Sequence, residues 1–387
     1  MKILAVDIGT GTQDILLYDS RLEIENSLKL VAPSPTMIVR QKIQAATRRG
    51  DTLCLNGVMM GGGPGAWAAE AHLQAGLPLF ATPAAARTFN DALDAVRELG
   101  VTLVSEDEAE QLPDSTCRIT LADFDLQAIR QSWQAFGVQI DDLDVVAVAV
   151  FDHGDAPPEI SDRQFRFDYL DERLRQVNRL SAFAYLADQA PPIMTRLCSV
   201  VETARRSADP LFETAALVVM DTAPAAVLGA TFDLRVAERT QVIIANIGNF
   251  HSLAFRLGPS GIEGVFEHHT GFLNRSRLES LLKALADGSL QHNDVFGDHG
   301  HGALVYDTRP LALFDSERNG VVVTGPRRRI MQGSRLYPYF AAPFGDMMLA
   351  GCYGLLAAVA DLLPDFCQPL RVALAGGNSP GVAPWDV

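Results

Sequence analysis

The chain contains 387 residues, of which 48% are hydrophobic and 20% are charged, and its formal net charge is −15. This length suits two domains of a globular protein, and the negative charge argues against nucleic acid and anionic membrane surfaces as partners. The five cysteines are scattered without a CxxC pair, which fits a reducing cytosol and provides no framework for a zinc or iron–sulfur site. The N-terminus has no signal-peptide pattern, and the longest apolar stretch is shorter than a membrane span, so we expect a cytoplasmic protein.

The first predicted elements are strands at 3–7 and 14–18, which a Gly-Thr-Gly-Thr turn would join as a hairpin. Strands and helices then alternate, which predicts a layered α/β domain. Helices are expected near 36–49, 66–76 and 83–100, and strands within 51–60, 77–81, 101–105 and 142–151.

The second half is predicted to repeat this arrangement, with a hairpin that is followed by helices and strands. Helices are expected across most of 168–206 and at 222–232, 275–287 and about 345–363; strands are expected at 216–221, in a hairpin at 241–256, around 303–324 and at 370–375. No long linker or low-complexity tract appears, so two closely abutting domains are expected, at 1–238 and 239–387.

Two segments, 5–19 and 245–255, share one layout: an apolar run, a polar residue, Ile-Gly, a few more residues and a second apolar run. A tight turn between strands presents backbone N–H groups to an anion, and Thr10 and Thr12 can add hydroxyl donors. Asp7 would lie close enough to hold a hydrated Mg²⁺ beside a phosphate. Either segment alone could be an ordinary turn, but the pair predicts a phosphate clamp.

These segments, "VDIGTGTQDILLYD" and "ANIGNFHSLAF", resemble the two phosphate motifs of the actin, Hsp70 and sugar-kinase superfamily, and "VALAGGNS" (372–379) resembles its adenosine motif. The resemblance implies that ATP and Mg²⁺ lie between two ribonuclease-H-like lobes. It implies phosphate contacts from Gly9, Thr10, Gly11, Thr12, Gln13, Asn246, Gly248, Asn249 and His251, and adenosine contacts from Gly376, Gly377 and Asn378.

The segment "MDTAPAAVLGA" (220–230) is similar to the Gly-Asp-x-x-Ala-x-x-x-Gly segment of carbohydrate kinases, and the likeness implies that Asp221 is the general base. Read without the likeness, Asp221 could equally be a helix N-cap. The segment "ISDRQFR" (160–166) resembles the Asp-x-Arg substrate loop of those kinases, which implies substrate contacts from Asp162 and Arg163.

Over its whole length the chain also resembles an uncharacterised prokaryotic family sometimes labelled pyruvate formate-lyase-activating-enzyme-like. That label implies a radical enzyme with a CxxxCxxC cluster motif. The sequence has no such motif, so we do not expect radical chemistry.

The loop that begins at 151 follows a buried strand, the position where α/β proteins bind ligands. Its side chains Asp152, His153, Asp155 and Arg163 are therefore candidate substrate contacts, with a solvated loop as the alternative.

Five of the eight histidines fall between 268 and 301. His299 and His301, two residues apart in a Gly-rich loop, could face one metal ion, with His268, His269 or Asp298 completing its ligands. Solvated, phosphate-binding or substrate-contacting histidines are the alternatives.

The expected function is an ATP-dependent phosphotransferase that acts on a small hydroxylated metabolite. One alternative is a nucleotide-dependent switch or ATPase that regulates a protein partner, since Phe250 and His251 are bulky for the second phosphate motif. Another is a metal-dependent enzyme that uses the histidine-rich loops. A homo-oligomer and a protein partner both remain open, and neither nucleic acid nor a membrane is expected.

Overall fold

The computed structural model describes residues 1–313, 320–376 and 382–386, and within them it confirms a mixed α/β fold with three sheets. The strands are β1 (Lys2–Ile8), β2 (Thr12–Asp19), β3 (Leu28–Pro33), β4 (Leu53–Gly57), β5 (Leu79–Ala81), β6 (Thr102–Leu103), β7 (Cys117–Leu121), β8 (Val145–Val150), β9 (Ala184–Leu186), β10 (Ala216–Asp221), β11 (Val242–Ile247), β12 (His251–Gly258), β13 (Gly261–His269), β14 (Gly302–Val305), β15 (Val321–Thr324) and β16 (Tyr339–Phe340).

The helices cover the sheet faces and connect the strands. They are α1 (Pro35–Arg49), α2 (Pro64–Gln74), α3 (Pro83–Ala86), α4 (Leu93–Glu98), α5 (Glu106–Gln111), α6 (Leu126–Gln134), α7 (Asp162–Gln176), α8 (Thr195–Arg206), α9 (Leu211–Thr214), α10 (Thr222–Ala230), α11 (Leu234–Ala237), α12 (Arg275–Asp287), α13 (His292–Phe296), α14 (Ala350–Leu362) and α15 (Pro364–Leu374). Short 3-10 turns lie at Ile24–Asn26, Leu180–Phe183, Thr270–Phe272, Arg328–Met331, Pro343–Gly345 and Pro384–Asp386.

Five strands of each larger sheet share one order, and the sixth lies at opposite ends of the two sheets, β9 beside β10 and β14 beside β13. The first runs β3-β2-β1-β8-β10-β9 and the second β14-β13-β12-β11-β15-β16. In each, an antiparallel three-stranded meander (β1–β3 or β11–β13) is extended from its first strand by two further parallel strands, β8 and β10 or β15 and β16. A third, four-stranded parallel sheet (β6-β5-β4-β7) is inserted between β3 and β8.

Each large sheet is buried on both faces, which explains why its central strands are nearly continuous apolar runs. In the first sheet, β8 reads VVAVAV and is buried throughout, packing against α14 on one face and against α6 and α8 on the other. In the second sheet, α7 and α10 cover one face and α12 covers the other. The helix α12 begins at the N-cap Asn274, and its leucines at 278, 281, 282 and 285 form the buried stripe.

The chain passes repeatedly between the two large cores. Helices α7 and α10, which both precede residue 239, pack on the second sheet, while α14 and α15, from the end of the sequence, pack on the first. Residues from both sides of the predicted 238/239 division therefore contribute to each of the two large cores, and the division itself stays a prediction.

The helices α10 and α14 meet through glycines. A Cβ atom on Gly354 would lie 1.9 Å from the carbonyl oxygen of Ala225, and one on Gly229 would lie 1.6 Å from that of Ala350. Only glycine permits this approach, which brings the N-terminal ends of both helices to the same edge of the first sheet.

The predicted strand at 370–375 is wrong, because these residues continue α15 and its C-terminal turn. Leu370 and Leu374 are buried and Val372 is exposed, so the apolar contacts follow the helical spacing of four residues. The predicted helix at 83–100 is divided into α3 and α4.

Within the described ranges, no helix combines the length and the apolar character that a membrane crossing requires.

We predict that Gly354→Ala destabilises the protein by roughly 1–3 kcal/mol, because the added methyl group forces α10 and α14 apart. Helix propensity alone predicts the opposite sign, about 1 kcal/mol of stabilisation. Urea unfolding measures the difference. The control is Gly271→Ala, where no atom lies within 4 Å of the new Cβ; equal effects of the two substitutions would contradict the close crossing.

Candidate functional site

Two hairpin turns of the same geometry lie at corresponding ends of the two large sheets. In the first, the N–H of Gly9 donates to the carbonyl oxygen of Thr12 (2.9 Å); in the second, that of Gly248 donates to His251 (2.9 Å). In both hairpins three residues, 9–11 or 248–250, connect the first two strands of a meander.

The two turns face each other across one cleft of about 110 Å³. They are so close that a Cβ on Gly11 would lie 2.5 Å from the side-chain nitrogen of Asn249. The N–H groups of Thr10, Gly11, Asn249 and Phe250 have no hydrogen-bond acceptor among the described residues. Unpaired N–H groups clustered in facing turns form a concavity suited to an anion.

Asp7 lies at the base of this cleft, at the end of β1. Thr222 Oγ1, in the first turn of α10, donates to Asp7 Oδ1 (2.5 Å). Gly351, in the first turn of α14, is so near that a Cβ there would lie 1.8 Å from Asp7 Oδ2. The carboxylate is thus placed where the partial positive charges at the N-terminal ends of two helices meet.

Asp14 is the direct cross-strand partner of Asp7 on β2, so both side chains lie on one face of the hairpin. Burial raises the pKa of Asp7 to about 7; burial and the neighbouring Asp7 raise the pKa of Asp14 to about 8. Asp14 Oδ1 is buried without a hydrogen-bond partner. Two adjacent buried carboxylates with an unpaired oxygen suit a hard cation such as Mg²⁺.

A larger cavity of about 730 Å³ adjoins the cleft and shares Ile8, Gly9, Thr10, Phe151, Arg196, Phe250 and His251 with it. Loops of the first sheet and of the inserted sheet form its walls. Its volume lies in the range of small-molecule sites.

Acids outnumber cations among the charged residues that line this cavity, which are Asp91, Asp123, Asp152, Asp155, Asp162, Arg87 and Arg196. Arg196 is neutralised by Asp123, which it contacts at 2.6 Å, while Asp91, Asp155 and Asp162 have no such cation pair among the described contacts. Burial and these neighbouring acids raise the pKa of Asp91 to about 6, and its Oδ1 is buried without a hydrogen-bond partner. The acidic rim favours an uncharged or cationic ligand.

Three histidines converge beside the cavity. Atoms of His153, His251 and His301 that could bind a metal all lie within 4.8 Å of one another, and the two Nε2 atoms of His153 and His301 are 3.0 Å apart. His251 belongs to the lining of both cavities and His153 to that of the larger one. His301 is fully buried behind them.

A buried chain of charges supports the cluster. Arg166 contacts Glu267 (2.7 Å) on the second sheet and Asp221 (2.6 Å) on the first. Glu267 Oε1 lies 3.5 Å from His301 Nδ1 and 3.9 Å from His251 Nδ1. The three charged side chains therefore join the two sheets directly beneath the site.

Most of the predicted phosphate contacts lie in the cleft. The predicted residues that line it are Asp7, Gly9, Thr10, Thr12, Asn246, Gly248, Asn249 and His251. Among the predicted substrate contacts, Asp152, His153, Asp155 and Asp162 line the larger cavity.

Several predicted residues lie elsewhere. Gln13 donates from its side chain to the carbonyl oxygen of Pro33, and Arg163 donates to those of Phe296 and Gly300. Gly376 lines a different cavity, which shares no lining residue with the cleft. Gly377 and Asn378 lie outside the described residues.

Asp221 lines neither the cleft nor the larger cavity. One of its oxygens accepts the N–H of Ala223 (2.9 Å), which makes it the N-cap of α10, and the other accepts from Arg166. This geometry corresponds to the N-cap alternative and does not place Asp221 to receive a substrate proton.

The predicted metal set is divided by the structure. His301 joins the three-histidine cluster, but His299 is exposed and stacks on Phe272, because its positive φ of 63° turns it away from His301. His268 lies 3.5 Å from Asp298 and outside the cluster. His153 and His251, predicted as substrate and phosphate contacts, take their places.

Sequence reasoning missed Asp14, Asp91, Arg166 and Glu267. Asp14 had an available signal, since the hairpin register places it opposite Asp7. Arg166 and Glu267 are 101 residues apart and carry no local pattern that would pair them.

A family model matches residues 60–330, and the chain belongs to this family, described as "Putative pyruvate format-lyase activating enzyme (DUF1786)". No curated protein matches the chain. Solved structures that match include an exopolyphosphatase-like protein, at 9% identity over 98% of this chain and 85% of that one, with a TM-score of 0.24. A likeness this distant supports no argument about function.

We predict that Asp14→Asn stabilises the metal-free protein at high pH and has little effect at low pH. An acid whose pKa is raised by folding costs no stability below its unfolded pKa, near 4. The cost grows as pH rises from there and reaches its full size above the folded pKa, about 8 here. Each unit of difference amounts to about 1.4 kcal/mol, so the gain at pH 9 is several kcal/mol.

Urea unfolding in EDTA at pH 4 and pH 9 measures this difference. Asp94→Asn is the matched control, because the Asp94 side chain is 93% exposed. The prediction would be contradicted if the free energy of unfolding of both variants depended on pH as that of the unaltered protein does. Ionisation of the buried acid pair would then not reduce stability.

We predict that Arg166→Leu costs roughly 3–5 kcal/mol of unfolding free energy, because it leaves two buried carboxylates unpaired. The control Arg175→Leu removes an ion pair in which the arginine is 68% exposed, and should cost less than about 1 kcal/mol. Urea unfolding at pH 7 compares the two variants. Similar small losses of unfolding free energy would contradict a structural role for the buried ion pairs of Arg166.

Proposed function

We propose that this member of the DUF1786 family is an ATP-dependent phosphotransferase acting on a small hydroxylated metabolite. In this proposal the two six-stranded sheets form the ribonuclease-H-like lobes of an actin-like fold. One observation carries it: two hairpin turns with the same hydrogen bond, from equivalent places in two sheets that share the order of five strands, face each other across one cleft.

The cleft suits the phosphates of a nucleotide. Its unpaired N–H groups can donate to phosphate oxygens from both sides, and its volume of about 110 Å³ fits phosphoryl groups rather than a whole nucleotide. Asp7 and Asp14 would hold Mg²⁺, which takes one or two carboxylates together with substrate phosphates. When bound, Mg²⁺ supplies neutralisation of phosphate charge. The proposal assigns no adenosine contacts, since Gly376 lines another cavity.

The acceptor substrate would occupy the adjoining cavity of about 730 Å³. Its acidic rim of Asp91, Asp155 and Asp162 would repel anions, so the substrate is expected to carry hydroxyl groups without negative charge. Thr10 and His251 line both cavities and mark the path from the phosphates to the substrate.

Asp91 is the proposed general base, in place of Asp221. A general base works best when its pKa lies near the operating pH, and burial raises the pKa of Asp91 to about 6. Asp91 therefore accepts a proton at neutral pH while remaining mostly ionised before the reaction. Asp221 stays with its structural contacts to Arg166 and Ala223.

The activity named in the family description is not proposed, because radical activating enzymes need a CxxxCxxC motif. The cysteines of this chain stand alone in the sequence.

Thermal unfolding with ATP, ADP or GTP, with and without Mg²⁺, tests the nucleotide site. Ligand at 100 times its dissociation constant adds about 2.7 kcal/mol to the native state, which should raise the melting temperature by a few degrees. The increase should require Mg²⁺, disappear in Asp7→Asn and persist in the surface control Asp94→Asn. No increase with any nucleotide would overturn the proposal.

A second measurement tests transfer. ATP consumption is followed with a panel of uncharged sugars, polyols and amino alcohols, for the unaltered protein and for Asp91→Asn. Asp91→Asn should keep the nucleotide-dependent rise in melting temperature but lose about 100-fold or more in substrate-dependent turnover. Full turnover by Asp91→Asn would remove Asp91 from the mechanism.

A further inference from the structure

We propose that His153, His251 and His301 bind one divalent transition-metal ion of the zinc class, in the wall that separates the phosphate cleft from the larger cavity. This inference goes beyond the proposed phosphotransferase and does not depend on nucleotide binding. It concerns a site distinct from the carboxylates at Asp7 and Asp14.

The geometry of the three rings fits a single ion. Two imidazole nitrogens on one zinc ion, each at 2.0–2.1 Å, lie about 3.3 Å apart in tetrahedral coordination, and the Nε2 atoms of His153 and His301 are 3.0 Å apart. His251 supplies the third nitrogen within 4.8 Å of the others. Small rotations of the rings are sufficient to bring all three to one ion.

Glu267 is placed to orient two of the rings, since its Oε1 and the Nδ1 of His301 face each other and are both buried without a hydrogen-bond partner. Its Oε1 lies 3.5 Å from Nδ1 of His301 and 3.9 Å from Nδ1 of His251. A carboxylate on that side favours the proton on Nδ1 and leaves the Nε2 lone pairs of both rings directed at the cluster. A small rotation of either ring would form a hydrogen bond to Glu267, the contact by which carboxylates commonly hold metal-bound histidines.

Burial of the three rings favours the neutral form that metal binding needs. Burial lowers the pKa of His153 to about 3 and lowers those of His251 and His301 far below their usual range. Neutral imidazoles keep a lone pair for a metal ion. His251 Nε2 is buried without a hydrogen-bond partner, a cost that coordination would remove.

The donor set determines the class of metal. Three imidazoles suit zinc, iron, copper or nickel, whereas magnesium and calcium select oxygen ligands. Three protein ligands leave a coordination position open, as in catalytic zinc sites. His153 and His251 line the larger cavity, so the open position would take an oxygen atom of water or of a ligand in that cavity.

The test is metal titration of the full chain after EDTA treatment and dialysis, without nucleotide. Calorimetry with ZnCl₂ should give one equivalent, and CoCl₂ should give the visible absorption of Co²⁺ bound by nitrogen. His153→Ala and His301→Ala should each weaken Zn²⁺ binding by 100-fold or more. The matched control His299→Ala, which alters an exposed histidine outside the cluster, should bind as the unaltered protein does.

Glu267→Gln tests the orienting role, with an expected 10- to 100-fold loss of Zn²⁺ affinity and a changed Co²⁺ spectrum, which a merely structural residue would not alter. Circular dichroism and urea unfolding in EDTA establish that each variant is folded. Less than one equivalent of Zn²⁺ on the unaltered protein would overturn the proposal, as would equal losses in His299→Ala and His153→Ala. Because no nucleotide is present, this result and that of the nucleotide experiment are independent.

Discussion

The buried ion pairs of Arg166 are the interaction on which the rest of the site depends. A single guanidinium, 2% exposed, contacts Asp221 at the end of β10 and Glu267 within β13, and so connects the two large sheets. Buried carboxylates without a counter-ion are very unfavourable, so the sheets cannot separate at this point without a large cost. Glu267 in turn lies 3.9 Å from His251 and 3.5 Å from His301. The spacing of the cleft and the arrangement of the histidines therefore have one common support.

The cleft itself works against stability. Asp7 and Asp14 lie opposite each other in a buried position, where burial raises the pKa of both carboxyl groups and Asp7 raises that of Asp14 further. An apolar pair would pack there without this penalty, as Asn246 and Leu253 partly show at the equivalent position of the second hairpin. Such local cost is typical of functional positions, where the arrangement serves a ligand rather than the fold. The helix ends at Thr222 and Gly351 reduce the penalty without removing it.

The sequence predicted the parts of the site that local spacing determines and missed those that tertiary structure determines. Both hairpins and the position of Asp7 follow from short patterns of apolar runs and glycines. His153 and His301 are 148 residues apart, and their proximity follows only from how the strands are ordered in two sheets. The 370–375 segment was mistaken for a strand because an apolar stretch of six residues suits either period, and the buried positions of Leu370 and Leu374 appear only after packing.

The return of α14 and α15 to the first sheet has a consequence for biosynthesis. The strands of that sheet are all complete by residue 221, yet the face covered by Leu355, Leu356 and Leu370 stays open until those residues have been made. Because the ribosome synthesises the chain from its N-terminus, this apolar face stays uncovered while the whole second sheet is made. Contacts so distant in sequence also form slowly. The nascent chain is therefore most exposed to aggregation, and most dependent on chaperones, in the interval before residues 349–374 emerge.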